Sequence, residues 1–194
     1  MRGLMLILIV INVNCTLSGQ TYYTRTGHIK SASKSKYLDL VADNYQVAAK
    51  VLPAEGLLEI DALIKSFEFD MKLTNRLMSG KGVEVVEYPK ITYRGEFKPV
   101  NLSKPNTTIT IPVKGVLKAW NMERITPAQV IVKIDATGQV EAFCKLDMLI
   151  EESSVKKFND LMKRYIPSQF NFSADNLGID RRIYIDAQLK LLKR

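Results

Sequence analysis

"LLEIDALIKSF", residues Leu57 to Phe67, carries the clearest structural signal in the chain. Leu58, Ile60, Ala62 and Ile64 fall on alternate positions, with Glu59, Asp61 and Lys65 between them. A period of two puts one set on each face of an extended strand, so one face is buried and the other is solvated. The same rhythm extends outward in both directions. "KITYRGEFK" sets Ile91, Tyr93, Gly95 and Phe97 against Thr92, Arg94, Glu96 and Lys98, and "TTITIPVKG" sets Ile109, Ile111 and Val113 against Thr108, Thr110 and Lys114. "QVIVKIDA", "VEAFCKLDMLI" and "RIYIDAQLKLL" continue it through Val130, Val132 and Ile134, through Val140 to Ile150, and through Ile183 to Leu191. Turn residues separate these runs: "PAEG" at Pro53–Gly56, "KPN" at Lys104–Asn106 and "ATG" at Ala136–Gly138, the first and third predicting hairpins. With "QTYYTRTGHIKSASKS" (Gln20–Ser35) and "DNYQVAAKVL" (Asp43–Leu52) the pattern predicts about eight strands, enough to close into a barrel or stack as a two-sheet sandwich.

Two stretches change period. "DMKLTNRLMSGKG" (Asp70–Gly82) has a capping Asp and glycine stops. "SSVKKFNDLMKRYIP" spaces Val155, Phe158, Leu161, Met162 and Tyr165 by three to four and ends at Pro167. Both predict short amphipathic helices. Lys156, Lys157, Lys163 and Arg164 lie outside the second apolar stripe, a face suited to packing on the barrel, covering its mouth or meeting an anionic membrane.

The N-terminus reads differently. A basic start, Met1–Gly3, leads into the unbroken apolar run "LMLILIVI" and then into small and polar residues. That is the pattern of a secretory signal peptide, and the run is too short to span a bilayer comfortably. Residues 1–19 are therefore expected to be a leader and residues 20–194 a single domain, exported to a periplasmic or extracellular compartment. A lipoprotein built on Cys15 is the less favoured form, because Asn14 is larger than such a site prefers. Once Cys15 leaves with the leader, Cys144 stands alone and no intramolecular disulfide is expected. The 194-residue chain carries 28 basic against 20 acidic residues, a net charge of +8. The surplus reads first as a soluble basic surface; if it has a partner, an exported protein would meet an anionic membrane rather than nucleic acid. No nucleic-acid partner is expected.

Converging catalytic groups are not evident. One histidine and one mature cysteine fall short of a zinc cage, no G-x-S-x-G elbow accompanies His28, and "GKG" at Gly80–Gly82 lacks the rest of a phosphate loop. No metal, no cofactor and no enzyme activity are expected. The apolar faces could fill a solid core or line a cavity, and their composition alone leaves both open.

"YTRTGHIKSASKS" at Tyr23–Ser35, "DNYQVAAKVLPAEGLLEIDALIKSFEFDMKLTNRLM" at Asp43–Met78 and "EYPKITYRGEF" at Glu87–Phe97 together resemble the YceI-like family in order and spacing, over about the first half of the mature chain. The resemblance implies a mainly β, lipocalin-like antiparallel barrel of about eight strands with the two short helices. It also implies an exported bacterial protein that binds or carries an amphiphilic lipid, isoprenoid or fatty-acyl, in an apolar channel without catalysis. On that reading the channel wall comprises Ile60, Ala62, Ile64, Ile91, Tyr93, Phe97, Ile109, Ile111, Val132, Ile134, Cys144, Leu146 and Met148. Arg25 and His28 are the candidates to meet a polar head at a rim. The alternative is an envelope interaction module: the same barrel with a filled core, holding a protein partner or a membrane surface. The chain departs from the family pattern at "LTNRLMSGKG", at "VLKAWNMERIT" and over residues 151–170, so contacts from those regions do not transfer.

Overall fold

The computed structural model describes residues 19–34, 36, 39–70, 89–119, 122–152, 155, 156, 160 and 180–194. Its strands are β1 (Tyr22–Ser33), β2 (Leu40–Leu52), β3 (Leu57–Leu63), β4 (Glu68–Phe69), β5 (Lys90–Glu96), β6 (Thr107–Ala119), β7 (Met122–Ile125), β8 (Ala128–Ile134), β9 (Val140–Leu149) and β10 (Arg182–Lys193). Every pairing is antiparallel, in the order β1-β10-β9-β8-β6-β5-β3-β2. The β1–β2 pairing closes that path into a ring, so eight strands form a barrel, with β4 attached to β2 and β7 to β6. Closure removes the exposed sheet edges that would otherwise template aggregation. The sandwich left open by the strand count is thereby excluded.

The alternation read from sequence is the alternation of burial. β8 buries Ala128, Val130, Val132 and Ile134 and exposes the residues between them, and β3 buries Leu58, Ile60 and Ala62. Two strands change phase. β1 turns Tyr22 and Thr24 inward, then Gly27 and Ile29, while β2 turns Ala42 and Asn44 inward, then Val47, Ala49 and Val51. Their mutual register shifts between Thr24 and Gly27 and again between Gly27 and Ile29. These irregularities bend neighbouring strands together, as bulges do in a wall that must curve.

The strand expected over Leu57–Phe67 ends earlier, at Leu63. Ile64–Ser66 form one turn of 3-10 helix, after which β4 pairs with Ala42 and Asp43 of β2. Asn44 accounts for the break. It is fully buried, its Nδ2 donates to Leu63 O at 2.9 Å, and its Oδ1 accepts from Gln46 N at 2.8 Å. One side chain thus satisfies two backbone groups that lose ladder partners where β2 bulges and β3 stops.

One end of the barrel is plugged. The 97–106 loop folds beneath it, with Phe97 N donating to Gly56 O at 2.8 Å and Val100 N to Pro53 O at 3.0 Å. Leu102 is buried there, and the Tyr22 hydroxyl donates to Gln20 Oε1 at 3.0 Å and to Leu102 O at 3.4 Å. Arg194 N donates to Thr21 O at 2.9 Å, so β1 begins beside the end of β10. At the opposite end the first expected helix lies outside the described residues beyond Asp70. Of the second, Glu152, Val155, Lys156 and Asp160 have helical backbone and the rest lies outside the described residues.

Cys144 sits in the filled part of the core at 1% exposure. Burial pushes its thiol up to about 12, and the negative charge of Asp186 acts in the same direction. Since the thiolate is the nucleophile, an aromatic disulfide reagent at pH 8 is expected to leave Cys144 unmodified in the folded protein and to label it at the rate of global opening. Immediate stoichiometric labelling under native conditions would show that this layer of the core is open.

Candidate functional site

Cross-strand partners share a face, so the ladder registers define the inner wall row by row. Ile134 lies opposite Val140, Val132 opposite Ala142 and Val130 opposite Cys144, while β10 adds Leu191, Leu189 and Ala187 at the same depths. All of these are buried, with Val140 completely so. On β9 and β10, toward the end opposite the plug (the mouth), some inward residues are less buried. Leu146, Ile183 and Ile185 are only partly buried although they remain on the inward series, where Ile185 faces Leu146 and Ile183 faces Met148. Ile91 is likewise partly buried on the other side of the barrel. Met148, Ala119 and Met122 are buried at the same end, and Ile109 and Phe97 are partly buried at the plugged end, so the partial exposure of Leu146, Ile183 and Ile185 is local to β9 and β10.

Tyr93 of β5 lies flat on the inner wall. Its ring lies across Gly95 and Gly115, which face each other in the ladder. A Cβ on Gly115 would come within 2.3 Å of Tyr93 Cζ, and one on Gly95 within 3.0 Å of Tyr93 Cε1. Both positions must lack a side chain for the ring to lie flat on the wall. The Tyr93 hydroxyl donates to Thr126 O at 2.9 Å. Burial pushes that hydroxyl up to about 12, with the nearby Cys144 acting in the same direction.

The wall residues named from sequence all occur on the inward side. Ile60, Ala62, Ile64, Tyr93, Ile111, Val132, Ile134, Cys144 and Met148 are buried, and Ile91, Phe97, Ile109 and Leu146 pack partly buried against them. Arg25 is exposed, at the bulge of β1. His28 lies between inward Gly27 and Ile29 and therefore faces out. There its Nε2–H donates to Asp43 Oδ1 at 2.6 Å, and its ring stacks on Tyr45 with centroids 4.5 Å apart and planes 5° from parallel. No hydroxyl or thiol hydrogen-bonds to His28 among the described residues. The described residues also contain no group of three or more His, Cys, Asp or Glu able to hold a metal ion.

No family model and no curated protein matches the chain. Among solved structures it is similar to a polyisoprenoid binding domain from Saccharophagus degradans implicated in plant cell wall breakdown. The TM-score is 0.69 at 13% sequence identity, covering 90% of this chain and 98% of that one. The chain has the fold of that domain. The YCEI protein of Campylobacter jejuni matches more loosely, with a TM-score of 0.42 at 12% identity over 88% of this chain and 85% of that one.

The barrel also holds a charged residue on its inward face. β7 and β8 keep a single register against β6, placing Met122 opposite Ala119, Arg124 opposite Leu117 and Ala128 opposite Val113. Arg124 thus shares the inward face with Leu117, and it is the only charge on that face among the described strand residues. Its Nη2 donates to Glu151 Oε1 at 2.8 Å, just beyond the mouth end of β9. Its Nε–H is buried without a hydrogen-bond partner among the described residues. The signal is present in "MERIT", where Met122, Arg124 and Thr126 alternate with Glu123 and Ile125.

Proposed function

We propose that this barrel binds an amphiphilic lipid, isoprenoid or fatty-acyl, tail first through the end opposite the plug, and holds or carries it without catalysis. The observation that carries the reading is the partly buried strip formed by Leu146, Ile183 and Ile185 on an inward, aliphatic wall. Apolar surface on an inward wall that stays only partly buried is the chemistry an alkyl tail completes. Each methylene moved from water into such a wall contributes about 0.8 kcal/mol, so a tail of roughly ten carbons outweighs its ordering cost. The similar domain named for polyisoprenoid binding supports the same ligand class. The basic-then-apolar leader supports export, and placement in a cell-envelope compartment belongs to this proposal. The interaction module is the second reading, favoured by the dense packing around Val47, Val140 and Leu189.

The test is native mass spectrometry of the protein purified from its host, with organic extraction of any adduct. A stoichiometric mass that extracts as lipid is the expected result. A bare mass, with no uptake of added fatty acid or isoprenoid, would transfer the assignment to the interaction module. As the matched variant, Ile185→Asp places a carboxylate that water can still reach in the empty barrel but that a tail must desolvate. It is expected to weaken uptake about a hundredfold while the protein stays folded. Undiminished uptake by folded Ile185→Asp would remove this strip from the site.

A further inference from the structure

Among the described strand residues the inward face is apolar or neutral except at Arg124, whose placement calls for a chemical reason. An isolated cation facing an apolar interior is costly unless it is paired. Here the partner is Glu151, which is half exposed, and the buried Nε–H has no hydrogen-bond partner among the described residues. A guanidinium offers a planar fork of donors that matches a carboxylate or phosphate in two-point contact, and Glu151 occupies only part of that fork. Arg124 lies in β7, at the mouth end of β6, and Glu151 follows β9, which carries Leu146 and Met148 on its inward side. The cation and the partly buried apolar strip therefore lie toward the same end of the barrel.

We propose that Arg124 is the headgroup-binding residue and that the ligand is an anionic amphiphile, its carboxylate or phosphate taken by the free side of the guanidinium while its tail covers Leu146, Ile183 and Ile185. Glu151 holds the side chain in place when the mouth is empty and competes with the incoming anion. The inference rests on the lipid reading and narrows it to ligands with a negative head.

Binding of dodecanoate, dodecyl phosphate and uncharged dodecanol, each below its micellar concentration, tests this by calorimetry on the wild-type protein, Arg124→Gln and Glu151→Gln. The expected result is at least a tenfold preference of the wild type for an anion over the alcohol. Arg124→Gln loses that preference but keeps the alcohol affinity, and Glu151→Gln binds the anions severalfold more tightly. The carboxylate and phosphate probes show which head is preferred. Equal binding of anion and alcohol by the wild type, or an anion preference that survives in Arg124→Gln, overturns the assignment of Arg124 and leaves lipid binding intact. Failure of all three probes and of longer isoprenoid chains to bind overturns the lipid reading and this inference together. The Arg124–Glu151 pair is solvent-accessible, and a thermal melt of each variant establishes that it is folded.

Discussion

Gly115→Ala is expected to destabilise the protein by about 3 kcal/mol, against the direction that backbone entropy alone dictates. In a strand interior, replacing glycine by alanine ordinarily stabilises, because glycine loses the most freedom on folding. Here the new methyl would lie 2.3 Å from Tyr93 Cζ and 2.4 Å from its hydroxyl oxygen. Those atoms cannot simply retreat. Tyr93 is buried, and its hydroxyl is tied to Thr126 O across the β7–β8 junction. Thermal unfolding should show the loss as a fall of about 6–12 °C in Tm for a domain of this size. A double-mutant cycle supplies the check. In a Tyr93→Leu background, Gly115→Ala should cost little or stabilise, giving a large coupling energy between residues that share one contact. Additive effects would mean that the flat ring does not require the bare glycine pair.

Asn44→Ala is the second large effect, again about 3 kcal/mol, and its cause is polar. The side chain is fully buried, and both of its functional atoms are committed to backbone: Nδ2 to Leu63 O and Oδ1 to Gln46 N. Alanine strands both partners where water cannot easily replace the lost bonds. Asn44→Asp should be at least as damaging at neutral pH, because it keeps one acceptor, loses the donor and buries a charge. Denaturant titration measures the loss. Hydrogen exchange should place it at the junction where Asp70 N donates to Val41 O and Ile64 N to Pro89 O. A change below about 1 kcal/mol would show that solvent reaches these groups and that Asn44 is dispensable to the bend.

These two residues also mark the limits of what the sequence revealed. Strand positions were legible because each inward series is a simple alternation, as in Ala128–Ile134 or Ile183–Leu191, and hydrophobic period two has one structural meaning. The wall residues followed from the same rule. The phase changes in β1 and β2 did not. Thr24 to Gly27 and Asn44 to Val47 each insert a residue that period counting absorbs without complaint, and only the cross-strand register exposes the shift. The 3-10 turn after Leu63 was hidden for a related reason: Ile64 keeps the inward phase and is buried, so the sequence reads through it as strand. His28 was legible as part of the wall, but its outward direction depends on the same bulge. Arg124 was missed because a charge between Met122 and Thr126 reads as surface until β6 supplies Leu117 as its partner.

The seam that completes the ring joins the first strand to the last, with Tyr22 beside Lys193 and Ser33 beside Ile183. Contact order is therefore high, and folding belongs in the slow regime of milliseconds to seconds typical of non-local β pairing. Synthesis must reach the final dozen residues before the ring can close. Until then β1 and β9 each present an open edge, and the nascent chain remains without its finished barrel.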